Sequence, residues 1–215
     1  RRKVVSADLV GTGTDARALN PMCDAGDPNG KTLADGTPLE LGGAAVPCDQ
    51  APRLYLGKAT PDFEGAMSTT FTLFGNLRLY ALVDWKTGYK KLDNNLRARC
   101  QVFNSCRENF FPEEFDPARI AEIQSGSPLR SFVFTDASFA KLREVSASLT
   151  LPQAWASRIG GSRATLTLAA RNLHTWTDYT GLDPEASFVE FGYNLLEQDN
   201  TPQLAQFVTT FAITF

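Results

Sequence analysis

The segment EVSASLTL at residues 144–151 decides the fold, because polar and apolar side chains alternate along its whole length. Every second residue from Val145 to Leu151 is apolar, and the residues between them are Glu, Ser or Thr. In a β-strand, successive side chains point to opposite faces. The segment therefore predicts a strand with one apolar and one polar face.

The same period of two recurs elsewhere in the chain. Residues 77–85 and 164–170 alternate in this way, and residues 207–215 place Phe, Thr, Phe, Ile and Phe on one side. Runs of this kind, rich in Thr, Phe and Val, are typical of strands. We expect an all-β fold with strands at residues 2–10, 67–74, 77–86, 139–151, 164–175 and 206–215.

The connections between these strands alternate in length. Gly75-Asn76 forms a tight turn, and residues 152–163 form a modest connection with room for one helical turn. Residues 15–61, 86–129 and 178–203 are long and rich in Gly, Pro, Asp and Asn, with one short helix expected at 115–124. Short turns at one end of an antiparallel sheet and long loops at the other are typical of an up-and-down outer-membrane barrel, whereas a soluble sandwich mixes loop lengths.

The composition excludes several classes of protein. The chain has 215 residues, of which 43% are hydrophobic and 21% charged, so it is neither disordered nor collagen-like. A net charge of -3 argues against a nucleic-acid partner. The sequence contains no apolar run of membrane-helix length, but alternating strands can cross a membrane with unremarkable hydropathy.

The four cysteines form two local pairs, Cys23 with Cys48 and Cys100 with Cys106. Both pairs lie in loop-like sequence, and neither forms a Cys-x-x-Cys motif. With a single histidine in the chain, we expect no zinc site. The pairs predict disulfides in an oxidising compartment, and the alternative is buried free thiols in a cytosolic protein.

Three segments resemble one family. Residues 136–143 read DASFAKLR and continue to LP at 151–152, and residues 170–185 read ARNLHTWTDYTGLDPE. These segments, with residues 57–65 and the DWKTG at 84–88, are similar to the carboxyl-terminal end of SusC/RagA-type TonB-dependent outer-membrane transporters. This chain has Ala147-Ser148-Leu149-Thr150 where family members often show Gly-Tyr before x-L-P, and the cysteine-bearing loops match no shared motif.

The resemblance implies a function as well as a fold. Residues 1–215 would be the last six or so strands of a barrel of about twenty-two strands, with the plug and the amino-terminal barrel absent. The expected activity is energised import of a glycan, peptide or similar large solute across the outer membrane of a Gram-negative bacterium. The implied partners are the TonB complex through the missing plug, a SusD-like surface lipoprotein, the outer-membrane assembly machinery and the lipid bilayer. Enzyme activity, a cofactor and a resident metal are not expected.

The last strand carries a candidate assembly signal. Its alternate residues are Phe207, Phe211, Ile213 and Phe215. An edge strand with an apolar face and a terminal aromatic can pair with the edge of the assembly machinery. The alternative is a buried terminal strand in a soluble sandwich.

Aromatic residues near strand ends are candidate contacts at an extracellular rim. They are Trp85, Tyr89, Trp176 and Tyr179, with His174 beside them. The aromatic residues fit an interfacial girdle or a carbohydrate-stacking rim. His174 fits either a ligand or proton-sensing contact or an interfacial polar residue.

Two other hypotheses concern different functions. The chain could be a secreted soluble β-sandwich that binds a ligand, with Phe215 in its core. It could also be a surface hydrolase, for which Glu113 and Glu114 are the carboxylate pair to test. Residues 23–31 hint at a calcium loop but lack its regular alternation of oxygen ligands, so an Asx-rich turn is the alternative.

Overall fold

The computed structural model describes residues 1–126, 129–186, 188–190, 193–198 and 200–215. In chain order the strands are β1 (Val4–Val10), β2 (Arg17–Asp24), β3 (Ala45–Pro47), β4 (Phe63–Leu73), β5 (Leu77–Thr87), β6 (Lys90–Asp93), β7 (Phe134–Asp136), β8 (Phe139–Thr150), β9 (Arg163–Thr177), β10 (Phe188–Glu190), β11 (Tyr193–Glu197) and β12 (Gln206–Thr214). The α-helices are α1 (Asn94–Arg97), α2 (Arg107–Phe110), α3 (Pro117–Ser125) and α4 (Gln153–Ser157). Among these residues, no helix has both the length and the apolar character needed to cross a membrane.

The chain divides into two compact units. Unit 1 comprises Arg1–Ala59, Lys90–Asp136 and Ser187–Asn200, and unit 2 comprises Thr60–Tyr89, Ala137–Ala186 and Thr201–Phe215. Unit 1 is therefore built largely from the long segments that the sequence predicts as loops. Within the last part of unit 1, residues 187, 191, 192 and 199 lie outside the described residues.

Unit 2 contains a five-stranded antiparallel sheet with the order β12-β9-β8-β5-β4. This confirms the all-β prediction and the up-and-down order of its strands. Phe74 and Gly75 adopt positive φ angles of 53° and 72° in the turn between β4 and β5. The predicted helical turn between β8 and β9 is α4. The sheet is open, and within the described part of the chain no further strand pairs with β4 or β12.

The first predicted strand, β1, belongs to a different sheet. β1 pairs with β2, and β2 with β3, in a separate three-stranded sheet of unit 1. Five strands rather than six therefore form the large sheet. Period-two alternation identifies a strand but not its sheet, which is why the sequence could not place β1.

Helix α3 organises the core of unit 1. It begins after Asp116, whose side chain caps it, and it confirms the helix expected at 115–124 within two residues. Its Glu122 is buried and accepts hydrogen bonds from Val4 N–H (3.2 Å), Phe132 N–H (2.6 Å) and the Ser131 hydroxyl. One carboxylate thus joins α3 to β1 and to residues 131–132.

Both predicted disulfides are present in unit 1. Cys23–Cys48 links β2 to the residue that follows β3, and its two sulfurs lie in a core with Val4, Ala118 and Ala121. Cys100–Cys106 closes a short loop beside Ile123 and Phe132. A second sheet of this unit has the order β10-β11-β6-β7.

Candidate functional site

The five-stranded sheet of unit 2 has two faces of different chemistry. One face carries mainly apolar side chains, and several are largely exposed: Phe63 (74%), Met67 (65%), Phe71 (60%), Leu168 (53%) and Phe207 (81%). Contiguous exposed apolar surface of this kind marks a membrane, a partner or a ligand surface. The opposite face carries charged and hydroxyl side chains.

The candidate assembly residues lie on the apolar face of β12. Phe207 and Phe211 pair across the ladder with Ala170 and Leu166 of β9. Phe211 is half exposed and Phe215 largely exposed, so the strand presents its aromatic side chains to the surroundings. The assembly role stays a prediction.

Three of the five candidate rim residues lie together on the apolar face. Trp85 and Trp176 both pair with Ala140 of β8, from opposite sides. The His174 and Trp176 rings are 4.6 Å apart in an edge-to-face arrangement. We define these three residues, Trp85, His174 and Trp176, as the aromatic belt, at the end of the sheet where β5 and β9 finish.

Gly65 explains how Trp85 lies flat against this face. A Cβ atom on Gly65 would approach Trp85 Cζ2 to 2.6 Å, so the indole ring covers the space that a side chain would fill. Only glycine permits this contact without displacement of the ring.

The other two candidate rim residues are buried. Tyr89 and Tyr179 are buried and pack with Ala137 and Phe139 in a small core of unit 2. The Tyr89 hydroxyl donates a hydrogen bond to Pro184 O (3.1 Å). Both tyrosines therefore hold the segment after β9 in place, and neither presents a free ring face for stacking.

A β-bulge shapes the polar face. Arg143 has no partner residue in either neighbouring ladder, since Leu82 pairs with Glu144 and Val83 with Leu142. On β9, Asn172 adopts a positive φ of 53° at the matching position. A bulge re-aims side chains locally, and here Arg143 and Glu144 both make ion pairs on the polar face.

Arg143 and Lys141 form the centre of an ion-pair network. Arg143 donates to Asp84 Oδ1 and Oδ2 (2.9 and 2.8 Å) and to Glu185 Oε1 (2.5 Å). Lys141 is only 3% exposed and contacts Asp183 Oδ1 (3.1 Å) and Glu185 Oε2 (3.0 Å). We refer to these five residues as the clasp, because they fasten residues 183–185 to the polar face of the sheet.

The clasp lowers the pKa of two of its carboxylates, those of Asp183 and Glu185. Burial raises the pKa of Asp183, but N–H donors from Glu185 and Gln203 and the Lys141 ammonium outweigh it and hold that pKa below its ordinary value. Burial also raises the pKa of Glu185, and the bonds from Arg143 and Lys141 more than offset this, so its pKa is lowered too.

The clasp joins three of the segments that were quoted from the sequence, and Asp84 begins one of them, DWKTG. Lys141 and Arg143 belong to DASFAKLR, and Asp183 and Glu185 belong to the final DPE. Sequence reasoning did not connect them, although two cations in one segment and two acids in the other were a usable signal. The shared chemistry of these segments is thus the attachment of a loop to the sheet.

The carboxylate pair of the hydrolase hypothesis, Glu113 and Glu114, has structural partners. Glu113 accepts a hydrogen bond from Gly13 N–H (3.1 Å), and Glu114 pairs with Arg107 (2.6 Å). The two carboxylates are thus engaged with separate partners, which gives no support to a hydrolytic pair.

The candidate calcium loop is held by its own backbone. Asp24 accepts three hydrogen bonds of 2.7–2.8 Å from the N–H groups of Gly26, Gly42 and Gly43. Burial raises its pKa, but these three donors outweigh burial and lower it. Asp27 accepts from Asn29 N–H (2.8 Å) as in an Asx turn. In the described part of the chain, the one cluster with metal-ligand spacing uses the disulfide sulfurs of Cys100 and Cys106, which are not free to bind an ion.

Comparisons with known proteins add information on the fold. No protein-family model and no curated protein matches the chain. Solved structures of the RagAB peptide importer do match it. The chain from the closed-closed state is 20% identical with a TM-score of 0.61, and that from the open-open state is 19% identical with a TM-score of 0.60. Each comparison covers 100% of this chain and 22% of the importer chain.

A further structure, described as the RagAB peptide transporter, gives a TM-score of 0.63 at 19% identity over 99% of this chain. Identity at this level shows a shared fold. The chain spans 22% of the length of these transporter chains. Its fold is therefore that of one part of a larger importer chain.

Proposed function

We propose that this chain forms part of the wall and the loops of a SusC/RagA-like, TonB-dependent outer-membrane transporter that imports a peptide, glycan or similar large solute. The observation that carries the proposal is the two-faced sheet of unit 2. Its strands are 9 to 15 residues long, and about 9–11 tilted residues suffice to cross a bilayer.

The two faces match the two environments of such a wall. The exposed apolar face with its aromatic belt suits lipid and the membrane interface, and the charged face suits an aqueous lumen. The open edges at β4 and β12 would pair with the remaining strands of the barrel. The likeness to the RagAB chains supports the same assignment.

The partners belong to the proposal as well. A SusD-like surface lipoprotein and the TonB complex, reached through a plug, are expected from the resemblance in the sequence. The disulfides of unit 1 suit an extracellular position, where they would persist. The chain would act without a catalytic centre of its own.

The soluble sandwich explains the structure less well. It requires Phe215 in a core, whereas Phe215 is 83% exposed and the apolar face bears exposed aromatic side chains. A soluble protein would have to cover this surface.

The proposal is tested by placing one charge on either face of β8 in the native protein. Val145 is exposed on the apolar face, and its neighbour Ser146 lies on the polar face. Because a charge among lipid chains costs about 2–4 kcal/mol, we expect Val145→Arg to lower the amount of protein in the outer membrane. The matched Ser146→Arg variant should assemble normally.

The transport activity needs its own readout. Uptake of labelled peptides and oligosaccharides is compared in cells with and without an active TonB complex. Loss of uptake without TonB supports the proposal. Equal levels of both Arg variants in the outer membrane, or a protein that is soluble without detergent, would contradict it.

A further inference from the structure

Unit 1 contains a cavity of about 520 Å³. Its walls come from the turn before β2, the loop closed by Cys100–Cys106, helix α2 and the end of α3. The side chains that matter for its chemistry are those of Thr14, Gln101, Asn104, Asn109, Phe110 and Gln124. A cavity of this size has room for a small ligand.

The lining is polar but nearly uncharged. Four of these side chains are amides, and among the described residues that line the cavity there is no Asp or Glu. The one charged side chain, Arg17, donates to the carbonyls of Thr14 (3.0 Å) and Ala16 (2.8 Å) of its own turn. Amide groups both donate and accept hydrogen bonds, so the cavity favours a neutral ligand with many hydroxyl groups.

Two groups in the lining have unused capacity for hydrogen bonds. Gln101 donates its amide hydrogens to the carbonyls of Glu122 and Ile123, and its Oε1 is buried without a partner among the described residues. Asn104 makes no side-chain hydrogen bond in the described part of the chain, and its positive φ of 49° fixes it in the wall. The Gln101 amide is therefore part of the wall, and the Asn104 amide is the one of this pair that can bond a ligand.

One aromatic ring completes the site. Phe110 lines the cavity and is 48% exposed, so part of its ring is available for contact. The face of an aromatic ring is electronegative and attracts the C–H groups of a sugar ring. An aromatic face beside several amides is a combination suited to a pyranose.

The nearby strand edge is closed to an extended peptide. Gln124 accepts from Ala18 N–H (2.9 Å) and donates to Ala16 O (3.0 Å). These are the backbone groups that a peptide would use to add as a strand to β2. The side chain of Gln124 already satisfies them, which favours a saccharide over a peptide at this place.

We propose that this cavity is a subsite for a neutral saccharide. The inference rests on the proposed function, since it names the class of solute that the loops of the transporter would hold. The Phe110 ring stacks on the sugar, and the amide of Asn104 bonds its hydroxyl groups.

The test uses the whole native protein, purified from outer membranes in detergent. It is applied to a microarray of neutral glycans, and the glycan retained most strongly is titrated against variants. Phe110→Ala removes the ring, and Asn104→Gly removes the amide while it keeps the left-handed backbone. We expect each to weaken binding roughly tenfold.

Phe111→Ala is the matched control, because Phe111 is 49% exposed and follows Phe110 but does not line the cavity. It should bind as the wild type does. Absence of any retained glycan, equal binding by the Phe110→Ala and Phe111→Ala variants, or retention of uncharged tripeptides instead would overturn the saccharide site. In each of these cases the outer-membrane levels of the Val145→Arg and Ser146→Arg variants still decide the proposed function separately.

Discussion

At the scale of single residues, Lys141 is the least expected feature of the sheet. Its ammonium group is almost fully buried, whereas most other polar side chains on this face are half-buried or exposed. A buried charge is tolerated only when it is paired and hydrogen-bonded, and Asp183 and Glu185 provide that pairing. Removal of Lys141 would leave two neighbouring carboxylates dependent on Arg143 and on backbone donors.

The pH dependence of the clasp follows from its carboxylates. Because the pKa values of Asp183 and Glu185 are lowered in the folded protein, their contribution to stability is complete above the ordinary carboxyl range and is lost as the pH falls through the lowered values. We expect the N–H groups of Glu185 and Gln203, which both donate to Asp183, to stay protected from hydrogen exchange at neutral pH and to lose protection below about pH 4.

In the Lys141→Met variant the loss of protection should occur at higher pH, since the carboxylates then protonate more readily. Breaking a buried pair costs on the order of 3 kcal/mol. Arg171→Met is the control, because Arg171 is half exposed and pairs with Glu144 outside the clasp. An unchanged pH profile in Lys141→Met would show that the ion pairs do not hold residues 183–185.

The sequence shows the charges of the clasp in three segments, but it does not show that they are buried together. Lys141 and Asp183 are 42 positions apart, and each looks like an ordinary charged residue in its local context. The burial of Tyr89 and Tyr179 was missed for the same reason. An aromatic residue just beyond a strand can cover a core or face the membrane interface, and only the path of the following loop decides between them.

At the scale of elements, the two disulfides differ in the length of chain that they close. Cys23–Cys48 spans 25 positions and Cys100–Cys106 spans 6. In the chain-entropy description the longer loop is worth about 3.5 kcal/mol and the shorter about 2. We expect the Cys23→Ala, Cys48→Ala double variant to destabilise unit 1 more than the Cys100→Ala, Cys106→Ala variant, as measured by hydrogen exchange in β1 and α3.

The strands of unit 2 should serve as the internal control for that measurement. Exchange in β8 and β9 should be the same in both double variants, because neither disulfide lies in unit 2. A larger effect from the shorter loop would contradict the entropic explanation and would point to packing of the sulfurs as the main contribution.

The elements also show where sequence patterns succeed. β8 and β9 were predictable because one face is apolar along most of each strand, so the period of two is clear. β6 has the sequence KKLD and no such period, although Lys91 and Asp93 are both buried. β2 contains Pro21 and an Asn20 with a φ of 51°, which together obscure the pattern of a strand.

At the scale of the whole molecule, the open sheet gives the simplest prediction. Under the transporter proposal, the native protein that carries this sequence should be several times larger than 23.5 kDa, because the comparable importer chains are covered to only 22%. It should also migrate differently on a detergent gel with and without boiling, since closed barrels resist detergent until they are heated. A soluble species near 23.5 kDa would contradict the transporter proposal.

The mutual packing of the long segments restricts how this protein could be re-engineered. Helix α3, from the long segment 86–129, bonds to β1 and β2 through Glu122 and Gln124. Strand β11, from the long segment 178–203, pairs with β6. If one segment alone were transplanted into a related scaffold, the backbone groups that it bonds in this protein would lose their hydrogen-bond partners. Grafts between this protein and a related scaffold should therefore exchange the segments as a set, and natural recombination is expected to keep them together.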